Sequence, residues 1–220
     1  MTLKINSVAP DFKANTQEGE ISFHEWLGDS WGVLFSHPKD FTPVCTTELG
    51  TLAKMKPDFD ARNVKVIGLS VDPVSDHVKW LDDIKDVCGM KPTYPIIADE
   101  KLEVAKLYNM LEGDAGVTSM GRTAVDNETV RTVYVIRPDK RIGLFLTYPM
   151  TTGRNFQEIL RAIDSMQRTA KYKIATPADW KPGEKVIIVP KVTNEEAKKI
   201  YPDGWDTLKP YLRKVPDPQK

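Results

Sequence analysis

The chain has 220 residues, and its 31 Lys and Arg match 31 Asp and Glu, so it carries no net charge at neutral pH. No global field therefore recruits nucleic acid or an anionic membrane surface. Two cysteines and three scattered histidines exclude a disulfide-stapled scaffold and a zinc-finger or helical zinc site, and no apolar run is long enough for stable membrane insertion.

In chain order, residues 10–29 predict a short extended start and a helical turn over Ser22–Leu27. Trp31–His37 is short and mostly apolar, which predicts a buried strand. From about 44 to 62, Leu49, Leu52, Met55 and Phe59 recur at three- and four-residue spacing and predict a helix. Val64–Val71 is rich in β-branched residues and predicts a central strand. Ser75 is expected to cap a helix running to Val87, with His77, Trp80, Leu81 and Ile84 on one face. Tyr94–Ala98 predicts a short strand and Lys101–Asn109 a helix. Thr129–Arg137 and Ile142–Tyr148 flank the turn Pro138-Asp139-Lys140 and predict a hairpin. A last amphipathic helix covers Asn155–Arg168. This alternation implies an α/β domain, a mixed central sheet flanked by helices, over residues 1–170. Residues 171–220 hold seven of the 16 prolines and eleven Lys and Arg against seven Asp and Glu. Trp180, Trp205, Tyr201 and Tyr211 within them call for a small, loop-rich second domain with its own packing.

The chemistry gathers at Cys45. It lies at the start of the predicted helix that follows the first buried strand. Amide N–H groups there lack intrahelical partners, and the helix dipole favours an anion. A thiol in such a place loses its proton more easily than a free one. The N-terminus lacks the apolar stretch of a secretory signal, and with only two cysteines a reducing, cytoplasmic setting is expected.

Pro38-xxx-Thr42-xx-Cys45 resembles the active-site motif of the peroxiredoxin family. The surrounding His37-Pro-Lys-Asp-Phe-Thr-Pro-Val-Cys-Thr-Thr-Glu48 is similar to the 1-Cys (peroxiredoxin-6-like) subgroup. Ala9-Pro-Asp-Phe12 resembles the family's opening, Tyr148-Pro-Met-Thr-Thr-Gly-Arg154 the subgroup's segment before its last helix, and residues 175–220 its C-terminal extension. The resemblance implies a thioredoxin-like fold and a thiol-dependent peroxidase that reduces hydrogen peroxide and organic or lipid hydroperoxides, an antioxidant activity. It assigns Cys45 as the peroxidatic thiol, Arg131 as the active-site arginine, Thr42 as a hydroxyl beside sulfur and substrate, and Pro38 as a shield against water. Glu48 would orient Arg131, His37 would lie near the sulfur, and Arg154 would reinforce the cationic site.

Magnitudes show why such groups are needed. Lowering a thiol pKa from ~8.5 to ~6 raises the thiolate fraction near neutrality roughly 20-fold. Nucleophilicity falls with pKa along a Brønsted slope of ~0.4–0.5, which removes about 10-fold of that gain. Most of the acceleration must come from orienting the O–O bond and stabilising the departing oxygen.

Cys88 follows the helix ending near Val87 and reads as a structural thiol. No cysteine follows it, so Cys45 sulfenic acid needs an external thiol rather than a bound cofactor. The resemblance implies glutathione, sometimes delivered by a glutathione transferase, with thioredoxin and ascorbate as other donors. It also implies a homodimer or larger homo-oligomer, with the strand at 142–148 as a candidate edge and the C-terminal segment covering the partner's site. A redox-sensor or chaperone-like role of Cys45 is a non-enzymatic alternative. Finally, Gly28-Asp-Ser30-Trp-Gly32 matches G-x-S-x-G, although the serine precedes a strand rather than following one. The resemblance attaches a calcium-independent phospholipase A2 activity to Ser30, His24 and Asp139.

Overall fold

The computed structural model describes residues 3–113 and 128–218. The chain divides into two compact units, Met1–Phe156 and Gln157–Lys220.

The first unit is built on a seven-stranded mixed sheet of order β2-β1-β5-β4-β3-β6-β7. Its strands are β1 (Lys13–Thr16), β2 (Gly19–Ser22), β3 (Trp31–Ser36), β4 (Val64–Ser70), β5 (Ile96–Ala98), β6 (Arg131–Ile136) and β7 (Ile142–Tyr148). Between them run α1 (Phe23–Leu27), α2 (Pro43–Asp60), α3 (Val74–Cys88) and α4 (Glu103–Leu107). This is the expected thioredoxin-like arrangement of a mixed sheet with flanking helices.

The topology decides where chemistry collects. β3, β4 and β5 are parallel, so their carboxyl ends lie at one edge of the sheet. β6 runs antiparallel to β3, with Phe35 opposite Val133, which brings the first residue of β6 level with the end of β3. β7 returns antiparallel to β6, with Arg131 opposite Tyr148, so the segment after β7 emerges at that same edge. In open α/β sheets this edge is where ligands bind. All six residues of β3 and of β6 are buried, as expected for strands covered on both faces.

Two local features differ from the sequence reading. Residues 13–22 form a β-hairpin whose β1 pairs with β5 at Thr16 and Ile97, rather than a single extended segment. The four residues Lys-Ala-Asn-Thr carry no apolar run to announce a strand. The N-cap of α3 is Pro73, not Ser75. Proline's fixed φ suits the extended entry, and the Asp76 N–H closes the first turn onto the Pro73 carbonyl. Ser75 instead hydrogen-bonds Asp76 on the surface.

The second unit contains α5 (Phe156–Lys171), α6 (Asn194–Ile200) and a four-stranded antiparallel sheet of β8 (Ile174–Ala175), β9 (Val186–Ile188), β10 (Asp206–Lys209) and β11 (Leu212–Val215). Its core gathers Ile174, Val186, Ile188, Val192, Ala197 and Val215 around a fully buried Trp180. Arg168 stacks on the Trp180 ring and pairs with Asp217, whose carboxylate also accepts the Gly183 N–H. α6 begins with a reciprocal capping box between Thr193 and Glu196. Aromatic anchors and a buried ion pair thus hold a unit that otherwise looks rich in loops.

Cys88, read from the sequence as a packed or part-exposed structural thiol, is partly buried at the end of α3. Its Sγ lies 3.6 Å from the Thr46 carbonyl, in a notch beside Gly50. A Cβ at Gly50 would collide with both Sγ and Cβ of Cys88. Gly50→Ala is therefore expected to lower stability by about 1–3 kcal/mol, despite alanine's better helix propensity. A shifted urea-unfolding midpoint at constant slope would show it.

Candidate active site

Cys45 sits in the first turn of α2, after the N-cap Thr42 and Pro43, and is fully buried. Proline suits that first helical position because its missing N–H would be unsatisfied there anyway. Thr42 is extended, at φ −115° and ψ 148°, and makes no side-chain cap. Its hydroxyl donates to the Lys39 carbonyl at 2.8 Å, so the oxygen keeps its lone pairs for another donor. Phe41, just before it, holds φ at +55°. A non-glycine residue in that region costs on the order of 1 kcal/mol and persists only where its surroundings hold it. The tie is Asp40, whose N–H donates to Asp72 and whose carboxylate is bound by His37 and His77. Pro38 is buried in the same loop.

Arg131 reaches the sulfur directly. Its Nη1 lies 3.4 Å from Cys45 Sγ and 2.6 Å from Glu48 Oε2, while Nε donates to the Met150 carbonyl at 2.7 Å. Glu48 is one turn along α2 from Cys45, so both side chains point to the same place. Arg154 grips the other side of that carboxylate. Its Nε meets Oε1 at 2.9 Å, Nη2 meets Oε2 at 2.8 Å, and its backbone N–H meets Oε1 at 2.8 Å. Arg154 Nη1 donates to the Ser36 and Thr132 carbonyls, and the guanidinium stacks on Phe35 and Phe156. Burial alone would raise the Glu48 carboxyl; the hydrogen bonds and charge of Arg154, followed by the charge of Arg131, hold it below its ordinary value.

The structure thus brings Cys45, Arg131, Glu48 and Arg154 together, with Thr42 and Pro38 in the loop alongside. His37 is fully buried at the end of β3, its Nε2 bound to Asp40 at 2.8 Å and its ring 5.2 Å from that of Trp80. A groove of about 510 Å³ runs along the outer side of the loop, lined by Phe41, Thr42, Pro43, Thr46, Trp80 and Val87; Cys45 is not among its walls.

The second constellation is engaged elsewhere. Ser30 donates to Asn63 Oδ1 at 2.9 Å, His24 Nε2 faces the Ala9 carbonyl at 2.9 Å, and Asp139 is bound by Arg137. None of the hydrogen bonds of these three side chains links one to another among the described residues. Asp40 and His77 were not singled out as site residues by the sequence. His77 was legible only as part of a buried helical face, and its partner is 37 residues away.

Comparison with known proteins agrees with this geometry. Residues 5–144 match the AhpC/TSA family, and residues 165–204 match the C-terminal domain of 1-Cys peroxiredoxin. The chain is 51% identical to a 1-Cys peroxiredoxin of Dictyostelium discoideum, covering 99% of this chain and 87% of that one. Among solved structures, a mutant of peroxiredoxin 6 from Arenicola marina superposes with a TM-score of 0.89 at 49% identity, covering 99% of this chain and all of the other. A yeast mitochondrial 1-Cys peroxiredoxin, studied for thiol resolution via glutathione/thioredoxin systems, gives 0.86 at 48% identity, covering 98% and 100%. Among the described residues, no helix is long and apolar enough to cross a membrane.

The depressed Glu48 value sets a pH dependence. A carboxyl whose folded pKa is lowered contributes stability that is complete above the unfolded value, about 4.5, and is lost as the pH falls through the folded value. The stability gap between wild type and Glu48→Gln, from urea unfolding, should therefore narrow as the pH is taken below about 4.5. Near neutrality Glu48→Ala should cost about 3–5 kcal/mol, because two buried guanidinium groups lose their counter-charge.

Proposed function

The chain belongs to the AhpC/TSA family, in its 1-Cys peroxiredoxin branch, and from that premise we propose how its site divides the work of a thiol-dependent peroxidase. Peroxide reduction through Cys45, followed by an external thiol, is the function; the roles below are the reading that the geometry supports.

The observation that carries it is the Arg131 Nη1 contact with Cys45 Sγ at 3.4 Å. Two guanidinium groups and one carboxylate leave the buried set with one excess positive charge. A Cys45 thiolate neutralises it. That sulfur attacks one oxygen of the peroxide; the S–O bond forms as the O–O bond breaks, and the departing oxygen leaves as hydroxide or alkoxide that takes up a proton. Arg131 places positive charge where the negative charge moves, which is where a preorganised donor acts most strongly. Thr42, its own proton given to Lys39, accepts a hydrogen bond from the incoming O–H. Glu48 and Arg154 keep Arg131 in place, and Pro38 excludes water. Cys45 becomes a sulfenic acid.

With no cysteine after Cys88, an external thiol attacks the sulfenic sulfur, releases water and forms a mixed disulfide; a second thiol then frees Cys45. We assign that role to glutathione, supported by the glutathione/thioredoxin resolution described for the yeast relative. A glutathione transferase would serve as carrier, and a thiol-rich cytoplasm as the setting. The chain pairs as a homodimer through β7, the last strand of the main sheet, where Phe145 is exposed; the N–H and C=O of Ile142 at the start of that strand are already paired with Ser7 and Asn6.

Cys45→Ser should abolish peroxide consumption with any thiol donor; turnover that survives in this variant would overturn the assignment. Arg131→Lys, which keeps the charge but loses the fork, should slow Cys45 oxidation by about 100-fold. Substituting reduced thioredoxin for glutathione in steady-state assays decides the donor.

A further inference from the structure

A second buried charge cluster lies behind the active-site loop, and the division of labour given above does not use it. Asp40, 3% exposed, stands between two fully buried histidines. Its Oδ1 faces His37 Nε2 at 2.8 Å, and its Oδ2 faces His77 Nδ1 at 2.5 Å. The other nitrogen of His77, Nε2, faces the Ile97 carbonyl at 3.2 Å. Burial would raise the Asp40 carboxyl, but hydrogen bonds from His37 and then His77 hold it well below the usual carboxylate range.

Hydrogen-bond capacity sets the remaining protons. Both partners of His77, a carboxylate and a carbonyl, are pure acceptors. A neutral imidazole carries one N–H and would leave one nitrogen lone pair facing an acceptor. The imidazolium form satisfies both. His37 differs: Nε2 must carry a proton for Asp40, while Nδ1 is the buried side-chain atom that lacks a partner among the described residues. An N–H there would be an unsatisfied donor; a lone pair there is an available acceptor. Among the described residues the cluster also contains Asp72, which receives the Asp40 N–H at 2.9 Å and the Ser70 hydroxyl at 2.8 Å.

We propose that Asp40 and a cationic His77 are positioning residues that lock His37 as its Nε2–H tautomer, so that Nδ1 is kept as a bare acceptor for the proton of an incoming hydroperoxide or thiol. The arrangement parallels the way a buried aspartate sets the tautomer of a catalytic histidine in hydrolases, although here the carboxylate serves two imidazoles. It rests on the peroxidase reading for its consequence, but the tautomers themselves are read without turnover.

The test is long-range proton–nitrogen NMR of the reduced full-length protein near neutral pH, with His37 and His77 assigned by substitution. Both nitrogens of His77 should be protonated, and His37 should be protonated at Nε2 alone. A neutral His77, or a proton at His37 Nδ1, overturns the proposal whatever the activity. Single-turnover oxidation by hydrogen peroxide, quenched and counted as free thiol, supplies the kinetic arm. Asp40→Asn should slow it by about 10-fold or more, in the direction seen when the aspartate that sets a histidine's tautomer is replaced by asparagine. His37→Gln should cost a similar factor, and the double variant no more than either alone, because the two share one route. Costs that multiply would show that Asp40 acts independently of His37 and would also sink the idea. If Asp40→Asn fails to fold, the spectrum of the wild-type protein still decides.

Discussion

The charged groups around the Cys45 sulfur are held together by one carboxylate. Glu48 receives both guanidinium groups and the Arg154 backbone N–H, and through Arg154 it joins the end of β3 to the beginning of β6. Desolvating three charges costs several kcal/mol per ion, and only near-complete hydrogen bonding offsets it. Arg154 meets that demand with five donations and with two aromatic faces. The excess positive charge that remains is directed at Cys45. The cluster is therefore weak evidence for stability in its own right and stronger evidence for a function that needs an anion held there.

Strand direction makes the cluster affordable in chain terms. Cys45 and Arg131 lie 86 residues apart in sequence, and meet because β6 runs against β3. A parallel β6 would start at the opposite edge of the sheet. The reversal after β7 then places Met150 and Arg154 at the same edge. Three separate segments converge without any of them leaving regular structure by more than a few residues, so the groups around the sulfur inherit the rigidity of the sheet.

Much of this was legible in the sequence. β3, β4 and α2 announce themselves through apolar runs and helical spacing, and Cys45 at the head of α2 follows from where one pattern stops and the next begins. Arg131, Glu48 and Arg154 were reached through the family resemblance, since an arginine on a strand carries no mark of its own. Two kinds of feature escaped. Edge elements such as β1 were hidden because four half-polar residues can pair without apolar alternation. The Asp40 cluster was hidden because its members are joined by tertiary contact alone: His77 reads as a periodic helical residue until the fold sets it against a loop residue and a carbonyl of β5.

Trp80 gives the molecule an optical gauge of its own. Its indole is fully buried, donates to the Thr46 hydroxyl one residue beyond Cys45, and lies against both the His37 imidazole and the Phe41 ring. Emission from a shielded indole responds to nearby charge and to the polarity around its ring. In the proposed cycle the sulfur in the adjoining turn becomes a sulfenic acid, which alters both, so the Trp80 share of the emission from the chain's five tryptophans carries a signal of that step without a dye.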